Sequence, residues 1–236
     1  MAYHTYMTPV NWIFKSSLLI WQFTESDFAT FLGPDTAFGI FGAVRGGRLS
    51  SGIPPSLAEI LWRLPLVVVY NWANLLCFNI ANQWEPRSVE EDRLNKPWRP
   101  LPMGNITSQQ ARHAVLALVP ATLWLNYCLG VYAQGTVIHV IIWLYNGLGG
   151  SDEPFVREIL ISAGYAMFNG GSLQIALGRE AHINSNGVIW TAVISGVIVT
   201  TMQIQDLKDL AGDRLRQRKT LPLYLGEEVS PAGLEI

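Results

Sequence analysis

Charge is scarce in this 236-residue chain: 14% of its residues are Asp, Glu, Lys or Arg, where soluble domains average about 25%. With 50% hydrophobic residues and a mean hydropathy of +0.23, that deficit points to a lipid environment, the remaining polar residues being gathered into two loops. The net charge of −2, without a basic stripe, argues against nucleic acid as a partner. Cysteine is almost absent. Cys77 and Cys128 fall in apolar segments, too few for a disulfide framework or a thiolate metal site, and both read as small core residues. The histidines (His4, His113, His139 and His182) are scattered and form no ligand cluster. At the N-terminus there is no basic region followed by a small-residue cleavage site, so insertion would rely on the first spanning helix.

What is abundant is apolar sequence in lengths of about 17 to 25 residues, the span of a bilayer-crossing helix. Up to six such segments occur. The first is 28–44, preceded by an aromatic-rich stretch 12–23 expected to lie at the interface or to open the same hairpin. The others are 57–82, 111–131, 131–148 with a turn near Gly130 or Gln134-Gly135, 155–177 and 188–204. Backbone groups in lipid must be satisfied within the segment. The expected fold is therefore all-α, a polytopic transmembrane helical bundle forming one domain over residues 1–236. Asn71, Asn74, Asn79, Asn82, Asn126, Asn169 and Gln174 lie within these segments, where polar side chains serve as interhelical glue or cavity lining. Most Lys and Arg fall in 84–107 and 208–219, which the positive-inside tendency assigns to the cytosolic face.

Chemistry concentrates in the same two loops. Asp206, Asp209 and Asp213 recur at intervals of three and four, so on one helix they share a face, repel one another and require a cation. Hard oxygen ligands of this kind suit Mg²⁺, shared between a few carboxylates and a substrate phosphate. The upstream loop offers further oxygens in Asn82, Gln83, Glu90 and Asp92, and cations in Arg93, Lys96 and Arg99; Lys208 and Lys219 add to the second. Arginine presents a fork to phosphate and lysine a point charge. Two mixed clusters on one face suit a diphosphate neutralised by Mg²⁺, with a greasy tail between helices. Metal ions stabilise the departing diphosphate, and the allylic cation left behind is stabilised by aromatic faces. Trp72, Phe78, Tyr145, Phe168 and Trp190 lie within helices able to supply them.

These residues resemble the UbiA superfamily of intramembrane prenyltransferases, which includes membrane-bound terpene cyclases. Its second motif, D-x-x-D-x-x-x-D, is intact as Asp206, Asp209 and Asp213, followed by Arg218-Lys-Thr-Leu-Pro222. Its first, N-D-x-x-D-x-x-x-D before R-P-L-P, is altered: counting back from Arg99-Pro-Leu-Pro102, Asn82 matches, Gln83 and Pro86 replace acids, and Glu90 takes the third place. The variant N-Q loop resembles the branch containing terpene cyclases. What the resemblance implies is an Mg²⁺-dependent integral membrane enzyme of isoprenoid biosynthesis, multi-pass in an internal membrane such as the endoplasmic reticulum if eukaryotic. Asp206, Asp209 and Asp213 would hold metal and diphosphate, helped by Asn82, Gln83, Glu90 and Asp92, and the named Lys and Arg would take phosphate oxygens. Cyclisation of an isoprenyl diphosphate is the leading expectation, with transfer to an aromatic or lipid acceptor as the alternative. A non-catalytic helical membrane protein is the reading from another class. Family members usually have nine spanning helices, so the chain is expected to be C-terminally incomplete or completed by another copy in a homo-oligomer.

Overall fold

The computed structural model describes residues 9–220 and 223; His4 and the Leu221 and Pro222 positions of the second motif's tail lie outside these residues. Helix α1 (Pro9–Asp27) runs through a π-helical turn at Phe28–Leu32 into α2 (Gly33–Val44). The expected interface stretch 12–23 and the first apolar segment are thus one helical run and not a hairpin. Gly33 keeps helical angles (φ −62°, ψ −59°) and Pro34 stands at the start of α2, where its missing N–H is least costly.

Strand β1 (Ser50–Gly52) leads to α3 (Leu57–Gln83), which opens on a capping box between Ser56 and Glu59. Then come α4 (Pro86–Asn95) and α5 (Ser108–Cys128), the latter capped reciprocally by Thr107 and Gln110. Gly130, at φ +77°, makes the turn to α6 (Tyr132–Ile142), at the first of the two places expected. Helix α7 (Val156–Leu177), strand β2 (Ala181–Ile183) and α8 (Ser185–Thr201) follow. Two short helices, α9 (Gln203–Asp206) and α10 (Leu210–Arg216), close the described chain. The expectation of an all-α fold is corrected in one detail. β1 and β2 pair antiparallel, Ser50 opposite Ile183, and tie the α2–α3 connection to the α7–α8 connection.

The bundle carries large apolar side chains on its outside, and buried amides lie among the apolar residues of its core. Trp62 is 84% exposed, and Phe41, Trp124 and Ile204 are also exposed, while Asn71, Asn74, Asn79 and Asn126 are buried. In water such a surface would be a liability; against lipid it is the ordinary arrangement, with amides joining helices. Asn74 and Asn126 exchange hydrogen bonds at 3.0 Å in both directions, linking α3 to α5. The Asn71 amide donates to Thr36 and its oxygen accepts from Ser172, each at 3.0 Å, linking α3 to α2 and α7. Interhelical hydrogen bonds of this type contribute about 1 kcal/mol each. Helices α2 and α7 touch where Gly39 meets Ser172, so closely that a Cβ on Gly39 would stand 2.6 Å from the serine backbone. Among the described residues one helix, Leu57–Gln83, has the length and hydropathy of a membrane span; α8 is apolar but shorter. Cys77 is buried as expected, but Cys128 is exposed at the end of α5, so only the first is a core residue.

Candidate active site

Helices α2, α3, α7 and α8 enclose a cavity of about 810 Å³. One end is charged. Asn79 and Asn82 from the last turns of α3, Lys96 and Arg99 beyond α4, and Asp206 and Asp209 at the end of the α8 run meet there. Two residues that the sequence reading missed join them: Asp27, at the end of α1, and Arg157, at the start of α7. The wall is otherwise rich in aromatics, including Phe31, Phe38, Phe78, Tyr145, Tyr165 and Trp190. Of the five aromatics anticipated, Phe78, Tyr145 and Trp190 line the cavity. Trp72 instead donates to Thr24 at 3.1 Å, and Phe168 packs into the core.

The downstream aspartates are not on one helix. The chain leaves helix after Asp206 and re-enters it at Leu210, with Asp209 in the turn at φ −103°, ψ 5°. The shared face expected from the spacing is therefore broken, and among the described residues no three carboxylates converge on a point. Each aspartate has a basic partner instead. Arg157 Nη1 donates to Asp206 at 2.7 Å, Lys96 Nζ to Asp209 at 3.2 Å, and Arg218 Nη1 to Asp213 at 3.3 Å. The break aims Asp206 and Asp209 at the cavity and turns Asp213 away from it.

Behind the wall lies a second charged layer. Arg216 reaches Glu91 at 3.1 Å, Ser88 at 2.7 Å and Asp152 at 3.0 Å, while Arg218 reaches Glu91 at 3.2 Å and Asp152 at 3.3 Å. Both arginines point into this layer because Gln217 between them is left-handed, φ 59°, ending α10. Asn95 fastens the two loops by donating to the Asp209 carbonyl at 3.1 Å and accepting from the Gly212 N–H at 3.2 Å. A Cβ on Gly212 would collide with that amide, which is why glycine stands there.

The upstream residues divide. Asn82, Lys96 and Arg99 line the cavity. Asp92 is buried behind it with both oxygens taken by Arg99, at 2.9 and 3.0 Å. Gln83 is buried too; its amide donates to the Phe23 carbonyl at 3.3 Å and its oxygen has no partner. Glu90, Arg93, Lys208 and Lys219 are exposed and off the cavity wall. The reason is helical phase: α4 turns Ser88, Glu91 and Asp92 inward, so Glu90 and Arg93 face out. Burial raises the carboxyl of Asp206 above the ordinary range, although Arg157 pulls it down, and raises Asp92 against the pull of Arg99. Burial also pushes Asp213 up to about 6, against the opposing Arg218. Such acids favour ionisation once further positive charge arrives.

A family model for the UbiA prenyltransferase family matches residues 40–233. The chain belongs to the UbiA prenyltransferase family. It is 29% identical over 227 residues to somaliensene A/B synthase of Streptomyces somaliensis, covering 96% of this chain and 72% of that one. It is 30% identical over 166 residues to fumagillin β-trans-bergamotene synthase of Aspergillus fumigatus, covering 69% of this chain and 55% of the relative. Its fold superposes with a TM-score of 0.68 on a UbiA homolog from Archaeoglobus fulgidus bound to GPP and Mg²⁺, at 15% identity, over 89% of this chain and 70% of that one. This UbiA-family chain is thus an enzyme of the terpene-synthase or prenyltransferase kind. The charged residues of the site named above fall within the matched segment except Asp27.

Proposed function

We propose that this UbiA-family chain ionises an isoprenyl diphosphate in a membrane and cyclises the resulting cation, as a terpene cyclase. The observation that carries the reading is one cavity whose wall joins the acids, amides and bases of both loops to a set of aromatic faces. The apolar exterior of the bundle supports a multi-pass arrangement, and the meeting of the two loops across Asn95 supports placing both on one face.

The donor set fits Mg²⁺. Asp206, Asp209, Asp27, Asn79 and Asn82 are hard oxygen donors on one end of the cavity, the ligand class that ion takes. Asp206 and Asp209 would be its principal holders, with Asn82 contributing an amide oxygen. The metal when bound would neutralise charge developing on the diphosphate oxygens. Arg157, Lys96 and Arg99, which now neutralise the acids, would turn toward the phosphates as the acids are engaged elsewhere. Departure of the diphosphate leaves an allylic cation facing Phe78, Tyr145 and Trp190, whose ring faces attract positive charge. Asp213, Asp92 and the second charged layer hold the loops that present these groups.

Incubating membranes that carry the protein with farnesyl or geranylgeranyl diphosphate and Mg²⁺ tests the reading. Cyclic hydrocarbon or alcohol formed without an acceptor is the expected result. Product that requires an added aromatic or lipid acceptor identifies a transferase instead, and no diphosphate release with any isoprenyl diphosphate refutes the ionisation step.

A further inference from the structure

Asp35 has no role in the scheme above. It lies in α2, eight residues beyond Asp27 along the run that continues from α1 through the π-helical turn, and so farther from the loops. It is 1% exposed, forms part of the cavity wall among Phe31, Phe38 and Tyr165, and its Oδ2 has no hydrogen-bond partner. Nor does it make an ion pair among the described residues. The hydroxyls nearest to it electrostatically, Tyr70 and Tyr165, are committed elsewhere: Tyr70 donates to the Met167 carbonyl at 3.0 Å and Tyr165 to the Thr30 carbonyl at 3.2 Å. The side chain of Asn71 is spent on Thr36 and Ser172.

A carboxyl in this position is costly unless something in the cavity answers it. Apolar packing would be served better by any aliphatic residue. What the cavity is built to hold, on the reading proposed above, is a carbocation, and its charge would favour a carboxylate there. Because Asp35 stands away from the diphosphate end, it meets a cationic centre that has moved down the chain from the carbon that lost the diphosphate.

We propose that Asp35 is the proton acceptor that ends the reaction. A C–H bond next to the cationic carbon breaks, and its electron pair becomes the new C=C bond. The proton passes to the Asp35 carboxylate, leaving a neutral cyclic hydrocarbon and a carboxylic acid. The diphosphate has already departed and takes no part, and the acid later loses its proton to water. This step rests on the ionising cyclase reading.

The test measures hydrocarbon and diphosphate together, in membranes supplied with geranylgeranyl diphosphate and Mg²⁺. Asp35→Asn keeps the shape and removes the base, so hydrocarbon formed per diphosphate released should fall about a hundredfold, with water-quenched alcohol in its place. An unchanged ratio in Asp35→Asn overturns Asp35 as acceptor and leaves the cyclase reading standing. Absence of diphosphate release by the unmutated protein overturns both. If Asp35→Asn does not fold, Asp35→Glu decides the matter: the carboxylate moves by a methylene, and the position of the double bond should shift. The same isomer in the same proportion would refute the assignment.

Discussion

The two charged layers of this protein are made of the same residue types and do different work. On the cavity wall, Arg157 holds Asp206 at 2.7 Å with the neighbouring Glu158 at 3.6 Å, and Lys96 pairs with Asp209 at 3.2 Å, all three pairs beside the cavity. Behind it, Arg216 and Arg218 are shared among Glu91, Asp152 and Asp213, with Ser88 as a further acceptor. A pair on a wall can exchange its partner for a ligand, because each member has a side facing space. A shared, buried network cannot without losing several bonds at once. The first layer is therefore suited to binding and the second to holding α4 against α10.

That contrast can be broken by substitution, and the largest effect should come from the wall. Asp209→Ala removes a half-exposed carboxylate with one partner, so turnover of an isoprenyl diphosphate should fall about a thousandfold through lost electrostatic stabilisation, while thermal unfolding in detergent stays near that of the parent. A large drop in Tm would mean that the wall is structural too. Next comes Arg218→Ala, which strips a buried cation from Glu91, Asp152 and Asp213. It should destabilise the fold by about 3–5 kcal/mol in chemical denaturation, much of it from acids left unpaired. A change below about 1 kcal/mol, the range of a surface pair, would deny the second layer its role.

The pH dependence sharpens the same comparison. Burial raises Asp213 from 3.8 to about 6, so between those values the folded chain holds a proton that the unfolded chain has lost. Its contribution to stability is complete below pH 3.8 and declines as pH rises to about 6, by about 3 kcal/mol across the window. Unfolding measured in chelator should show that decline in the parent and a flatter profile in Asp213→Asn. The smallest effects belong to residues outside both layers. Lys208→Ala and Lys219→Ala, each exposed, should change stability by less than about 0.5 kcal/mol and leave KM for the diphosphate substrate little altered. A tenfold rise in KM would return them to the site.

Much of this was legible in the residues. Asp206, Asp209, Lys96, Arg99 and Asn82 were named from loops that mix acids with bases, and all five line the cavity. Glu90 and Arg93 were named on the same grounds and face outward, since spacing in a loop says nothing about the phase of a helix that begins at Pro86. The spacing of Asp213 gives it a face shared with the other aspartates only on a continuous helix, and the turn at residues 207–209 separates them. Arg157 and Asp35 were missed, although a usable signal existed. Each is an ionisable residue within or at the edge of an apolar segment, and such residues are rarely there for packing.

By itself the sequence determined the apolar segments, their helical form and the two polar loops between them, because hydropathy and backbone hydrogen bonding act locally along a chain. It also carried the family, through motifs that keep their spacing whatever surrounds them. Only the tertiary structure decided which carboxylates face the cavity and which are locked behind it. That division depends on where one helix stops, how another is phased and which arginine arrives from a segment about fifty residues away, and none of these is a property of neighbours in sequence.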